Sequence, residues 1–336
     1  MAELTVGAGF ARGLFELAVA KGAPSAALAE RSGLDPAGLG DLDARVPFAA
    51  YVALMRAAKA LTGDDALALH FGEAVDMADL SIVALLGQSG TTPLEALPLF
   101  NRYARLAIEV DSAGADRIAL VRRGGKLWLV DRRPNPNAFP ELTESSFARM
   151  VCSGRRHGYD LLEEVHVTHP APSYRAEYDR IFQVPVVFES EWNALRIDPA
   201  MLTMSVGMQP PYVAALVTAR AETLLAELDG SKSVSGRVEA LVEPMLAGGG
   251  AGIGAVAAKL GVSRQTLYRK LKAEGTTFEK LLDALRHRLA LEHLAAGKRS
   301  IGEIAWQLGF SDRAAFSRAF KRWTGSGPGA RRGGGG

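Results

Sequence analysis

Two short stretches of this chain carry side chains suited to reading the edges of nucleic-acid bases. Leu267-Tyr-Arg-Lys-Leu-Lys272 and Phe316-Ser-Arg-Ala-Phe-Lys321 correspond position by position. On a helix, apolar residues four apart (Leu267 and Leu271, Phe316 and Phe320) share one inward face. Arg269 and Arg318 then point outward in equivalent places. An outward guanidinium offers a planar fork of donors, which fits the acceptors of guanine in the major groove or a phosphate.

The stretches that precede them must position those arginines, and they repeat as well. Ile253-Gly-Ala-Val-Ala-Ala-Lys-Leu-Gly-Val-Ser263 lies 48 residues before Ile301-Gly-Glu-Ile-Ala-Trp-Gln-Leu-Gly-Phe-Ser311, and six of the eleven positions are identical. Each copy reads as a helix with a small residue (Ala257, Ala305) where a second helix comes close. Gly261 or Gly309 then takes the left-handed conformation that ends a helix, and an apolar turn residue and a serine N-cap follow. The second copy holds one extra residue before its arginine helix. This is the helix-turn-helix pattern, present twice, in which a bracing helix presents the N-terminal half of the next to a major groove. Between the copies, Thr276-Thr-Phe-Glu279 reads as a capping box opening a helix to Ala296, ended by Gly297. Such a helix is about 28 Å long, a length that can hold two recognition helices one DNA turn, about 34 Å, apart. Ser300-Ile-Gly-Glu303 is a second capping box.

Charge supports the same end of the chain. Residues 253–336 hold 16 basic and 6 acidic side chains, a net +10, whereas residues 1–252 hold 23 and 31, a net −8. The near-neutral total of +2 over 336 residues therefore hides an acidic body joined to a basic end that suits a polyanion.

Other candidate chemistry is weaker. His166 and His169, three apart on a strand, point to opposite faces and make a poor metal pair. Cys152 sits in the apolar register of a helix with no second cysteine to resolve an oxidised form. Arg155-Arg156-His157 reads as a solvated charge run, and Trp128 and Trp192 as core aromatics more readily than pocket lining. No catalytic residue, metal site or cofactor is expected. The effector site is not legible.

The N-terminal 228 residues read as an α+β domain. Helical spacing covers about 20–115, with Pro47 opening the Phe48 helix, Asp65 as the cap of the next and Thr92-Pro93-Leu94-Glu95 starting another. The period then changes to two, and residues 117–121 and 126–130 form a hairpin about Gly124-Gly125. A helix at Glu141–Arg156 follows, then strands at 165–168, 186–188 and 194–197 and a helix from Pro211 to Leu228. Residues 229–252 read as a linker, beginning with the polar run Asp229–Ser233, plus the first helix of an all-α double helix-turn-helix domain at 253–327; 328–336 read as a disordered tail. The longest apolar run, Leu80–Leu86, is too short for a membrane span, and the first ten residues lack a secretory signal, so a cytoplasmic protein is expected.

Residues 234–327 resemble the DNA-binding domain of the AraC/XylS family of bacterial transcription regulators, most specifically over Ile301–Gly325. The family's usual tyrosine after Ser-Pro is absent from Ser326-Gly-Pro-Gly-Ala-Arg-Arg332. Leu34-Asp-Pro36, Asp43-Ala-Arg-Val-Pro47, Leu61-Thr-Gly-Asp64, His169-Pro-Ala-Pro-Ser-Tyr174, Glu177-Tyr-Asp-Arg-Ile-Phe182, Pro185-Val-Val-Phe188 and Asn193-Ala-Leu195 are similar to the "arabinose-binding" subgroup, a label that does not fix the ligand. The resemblance implies a regulator, an activator, controlled by a small-molecule effector. It implies operator DNA and RNA polymerase as partners. A second copy of the chain is expected on separate grounds, since two recognition helices with a net +10 bury limited surface. Val213, Leu216, Val217, Leu224, Leu225 and Leu228 recur near helical spacing as a dimer seam or as packing on their own domain. The resemblance also implies DNA contacts by Ser263, Arg264, Gln265, Tyr268 and Arg269 in one groove, and by Arg313, Ala314, Ala315 and Arg318 in the next. Lys270 and Lys298 would meet phosphates. The alternative, an enzyme fused to a DNA-targeting module, requires a nucleophile or metal set in residues 1–230, and no Gly-x-Ser-x-Gly or multi-cysteine motif is present.

Overall fold

The computed structural model describes residues 3–87, 92–110, 116–204, 210–247, 250–296 and 299–329. The chain divides into two compact units, Met1–Leu225 and Ala226–Gly336.

The first unit runs β1 (Thr5–Gly7), α1 (Ala8–Ala20), α2 (Ser25–Ser32), β2 (Arg45–Pro47), α3 (Phe48–Thr62), α4 (Leu67–Ala74), α5 (Ile82–Gly87), α6 (Pro93–Ala107), β3 (Ile118–Arg123), β4 (Lys126–Asp131), α7 (Glu141–Arg156), β5 (Leu162–His166), α8 (Arg175–Phe182), β6 (Val186–Val187), β7 (Asn193–Ile197) and the part of α9 (Pro211–Lys232) up to Leu225. Strands β1 and β2 pair alone, and the others form a sheet in the order β3-β4-β7-β5-β6. Gly124 (φ 58°) and Gly125 (φ 76°) make the primed turn between β3 and β4, whose two left-handed residues match the twist of the strands. Register then aligns Leu120 with Leu129 and Leu129 with Leu195 across three strands, so one face of the sheet is leucine-rich. That face packs with Phe147, Ala148 and Val151 of α7 and Ile181 and Phe182 of α8, together with Leu69 of α4. Each large side chain among them contributes about 1.5–3 kcal/mol by leaving water. The opposite face carries Trp128, Val130 and Ala194, with Trp192 packed against them.

The expected α+β architecture, hairpin and α7 are present, with differences at several edges. Thr92 caps α6 as read, accepting the Glu95 N–H. Asp64, not Asp65, serves the start of α4: it accepts the Ala66 N–H at 3.1 Å while its other oxygen meets His70 and Lys21. Strand β5 begins three residues earlier than its Val165 start suggests, and β6 stops before Phe188. The polar run at 229–233 is not an irregular linker. Helix α9 continues through Lys232, and Ser233 caps the next helix by accepting the Gly236 N–H at 2.9 Å.

The second unit is all helix: α10 (Val234–Val242), α11 (Ile253–Lys259), α12 (Arg264–Ala273), α13 (Phe278–Ala296), α14 (Ile301–Gln307) and α15 (Arg313–Thr324). Leu285 and Leu289 of α13 share one core with Val256 of α11, Leu267 and Leu271 of α12, Ile304 of α14 and Phe316 and Phe320 of α15. The inward pairs four residues apart are thus buried as their spacing demands. Gly297, Lys298 and the tail beyond residue 329 lie outside the described residues.

Candidate nucleic-acid interface

The sequence repeat is also a repeat of hydrogen bonds. In the first turn Leu260, Gly261 and Val262 donate to Val256, Ala258 and Ala257; in the second, Leu308, Gly309 and Phe310 donate to Ile304, Trp306 and Ala305. Every donor and acceptor is displaced by the same 48 residues as the sequence match. Gly261 (φ 66°) and Gly309 (φ 70°) occupy the left-handed region that closes each turn. Ala257 and Ala305 are both buried at equivalent places in the two bracing helices.

The copies diverge at their second caps. Ser263 caps α12, accepting the Thr266 N–H at 3.1 Å. In the second copy the cap is Asp312, which accepts the Ala315 N–H at 2.7 Å, and Ser311 merely donates to the Asp312 carboxylate. The extra residue moves the cap one place along, and an aspartate there also meets the positive end of the helix dipole. The backbone N–H of Ala315 holds that carboxylate below the usual aspartate range. The connector's cap is shifted similarly. Thr277, not Thr276, accepts a backbone N–H, that of Lys280, at 3.3 Å. The Ser300–Glu303 box forms as read, with Ser300 and Glu303 satisfying each other's backbone N–H.

Arg286 of α13 does what no short-range pattern reveals. Its Nε donates to the Leu308 carbonyl at 2.8 Å and a terminal nitrogen donates to the Gly309 carbonyl at 3.1 Å. Its guanidinium lies 4.7 Å from the centre of the Phe310 ring. The connector helix thereby fastens the second turn. At the same place a Cβ on Gly309 would fall 2.4 Å from the Leu246 carbonyl oxygen.

On the presented faces, Ser263, Arg264, Gln265, Tyr268 and Arg269 of the first unit are exposed, as are Arg313, Ala314 and Arg318 of the second, while Ala315 is half-buried. Tyr268 is 52% exposed. The Arg264 guanidinium lies against Gly254 of α11. Among the described residues, Arg269, Arg313 and Arg318 make no side-chain hydrogen bond or ion pair within the chain. Lys270 is exposed as well. Trp306 on α14, 62% exposed, is a large aromatic on the same unit that the sequence reading did not single out. An exposed aromatic becomes visible only when the helix phase is known.

The other sequence candidates serve the body. Arg155 donates to Asp160 and to the Ile181 and Phe182 carbonyls, and Arg156 to the Glu73 and Val75 carbonyls. His166 meets Ser190 and the Trp128 ring, whereas His169 is buried against the Tyr178 hydroxyl and the Pro170 carbonyl. Cys152 is half-buried in α7, and burial pushes its thiol up. Trp128 and Trp192 pack on each other with centroids 5.3 Å apart. Missed altogether was Glu144, a buried carboxyl accepting hydroxyl bonds from Tyr174 and Tyr178 and pushed up by that burial.

The fold and the presented face define a DNA-binding protein with a double helix-turn-helix domain. Residues 22–206 match the arabinose-binding N-terminal domain of AraC transcription regulators, and residues 256–333 match a helix-turn-helix domain family. The chain belongs to the AraC family of transcription regulators. It is similar to the ornithine utilization regulator of Pseudomonas aeruginosa, 29% identical over 326 residues covering 95% of this chain and 94% of that one. It is also similar to the HTH-type transcriptional regulator VirS of Mycobacterium tuberculosis, 24% identical over 291 residues, 85% of this chain and 84% of the relative. Among solved structures, the transcriptional regulator CdpR of Pseudomonas aeruginosa overlaps 83% of this chain and 90% of its own, at 24% identity and a TM-score of 0.40. Among the described residues no helix is long and apolar enough to cross a membrane.

Proposed function

We propose that this chain is a transcriptional activator that grips two successive major-groove segments of an operator and responds to a small-molecule effector held in its N-terminal unit. The observation that carries the reading is the doubled turn with unpaired, outward Arg269 and Arg318 on its second helices. A guanidinium left without an internal partner is available for a base or phosphate at no cost in broken ion pairs. In the first unit Gln265, Tyr268 and Arg269 face bases, with Ser263 and Arg264 at the helix start beside the backbone. In the second, Arg313 stands at the helix start, Ala314 and Ala315 permit close approach, and Arg318 reads a base. Residues 253–327 carry DNA binding, and residues 1–228 carry effector sensing and dimerisation.

Activation proceeds by contact with RNA polymerase, and two copies of the chain share one operator through effective concentration. Exposed Tyr212, Val213 and Leu216 at the start of α9 supply the seam, whereas Leu224 and Leu228 on the same helix are buried within the chain. No catalysis is assigned to the N-terminal unit. The buried chain of linked titratable groups Glu144–Tyr178–His169 packs inside the unit rather than at its surface.

In vitro transcription with purified RNA polymerase tests the reading of the chain as an activator. Full-length protein should raise transcript from a promoter carrying its operator, and R269A or R318A should reduce the increase. Equal transcript with and without protein would refute activation.

A further inference from the structure

The N-terminal unit contains a cavity of about 370 Å³ between the leucine-rich face of the sheet and α6. Its sheet wall is Leu120, Leu129 and Leu195, three residues aligned by strand register. Leu97 and Phe100 of α6 and Met150 of α7 close the other sides. The lining is almost wholly apolar, with Tyr159 and Asp160, between α7 and β5, as its polar side chains. Asp160, the one carboxylate on the lining, is exposed and already tied to Arg155 at 2.9 Å.

We propose that this cavity is the effector site and that its ligand is a small, neutral, predominantly apolar molecule. This deepens the reading of the chain as effector-controlled and rests on it. The volume lies in the range of ligand pockets, about 300–1,000 Å³. At the ~30 Å³ each water takes in the liquid, it holds about a dozen non-hydrogen atoms. A sugar or a zwitterionic amino acid placed there would leave hydroxyls or charges against leucine with nothing to bond, a heavy desolvation cost. An apolar ligand loses nothing by entering, whereas a charged head seated against the leucines would be desolvated without a partner.

The wall helix is built to report occupancy. Asn101 hooks α6 to β3, its side chain donating to the Ile118 carbonyl at 2.8 Å and accepting the Ile118 N–H at 3.0 Å. Pro98, one turn away and inside α6, removes a helical hydrogen bond and loosens the segment between Leu97 and Phe100. Farther along α6, the Tyr103 hydroxyl donates to Glu222 of α9 at 2.5 Å and Arg102 pairs with the same carboxylate at 2.6 Å. Movement of α6 on filling the cavity is therefore passed to α9.

The test uses full-length protein with 1-decanol as probe and L-arabinose and L-ornithine as polar controls. Thermal melting should rise by several degrees with 1-decanol and stay unchanged with the controls, because a ligand bound only by the folded state stabilises it. A96W, which fills the cavity from α6, should melt no lower than the parent without ligand and lose the response. M150Q, which keeps the volume but places an amide on the wall, should weaken 1-decanol at least tenfold. A response to 1-decanol with unchanged operator affinity would support the ligand class while refuting effector control. An unchanged melt with 1-decanol, or a response to a polar control that persists in A96W, would overturn the proposal; the latter would leave effector control standing.

Discussion

The two helix-turn-helix units share a backbone and differ in what they present and how they are held. The first ends its bracing helix with Gly261, around which a Cβ would meet nothing within 4 Å. The second ends with Gly309, pressed against the Leu246 carbonyl and fastened by Arg286. The first recognition helix offers Gln265, Tyr268 and Arg269, all long and hydrogen-bonding. The second offers two alanines ahead of Arg318. A repeat that preserves its turn to the atom while exchanging its outward residues shows that the turn is selected by folding and the face by its target. On the proposed reading, the tighter second unit would let backbone and DNA come close at its small residues, and the looser first unit would reach with side chains.

That contrast can be broken first at the glycines. G309A combines left-handed strain with a backbone clash and should cost about 3 kcal/mol of stability in urea denaturation of the full chain. G261A should cost only about 1 kcal/mol, the left-handed strain alone. Equal losses would show that the two turns are held alike. R286A, which strips the Leu308 and Gly309 carbonyls of their partners, should cost about 1–3 kcal/mol. Because, among the described residues, no α13 side chain donates to the first turn, removing Arg286 should weaken the second unit selectively, seen as hydrogen exchange accelerated in α14 and α15 before α11 and α12.

At the DNA face, R269A and R318A should leave the melting curve unchanged and each cost about 1–3 kcal/mol of discrimination at one base pair. Fluorescence anisotropy on operator variants measures this, and a loss spread evenly over all sequences would reassign the arginine to phosphate. The smallest effect belongs to K270A. It should weaken every sequence alike and lower the slope of log affinity against log salt by about 1.

What the sequence made legible was local. Helix, glycine, serine and inward pairs lie within twenty residues of one another, so the doubled unit and its outward arginines could be read directly, as could the Gly124-Gly125 hairpin and the Thr92 cap. The Asp312 cap was obscured by the single inserted residue, which made Ser311 look equivalent to Ser263. Arg286 reaches carbonyls 22 and 23 residues away, and no periodicity encodes such a reach. The cavity was hidden for a similar reason: Leu120, Leu129 and Leu195 become neighbours only through strand register. Residues 229–233 misled because serine, glycine and aspartate suggest a flexible segment, whereas neighbouring turns of α9 and the Ser233 cap hold them helical. Glu144 escaped notice because Tyr174 and Tyr178, its partners, lie 30 and 34 residues farther along the chain.

The central claim is that one chain reads two groove segments through two recognition helices. Selection of bound sequences from random duplex DNA by full-length protein tests it most directly, repeated with R269A and R318A. The account predicts two blocks of specified bases centred about one helical turn, roughly 10–10.5 base pairs, apart, with R269A erasing a preference in one block and R318A in the other. A single block, or both substitutions acting on the same position, would contradict it.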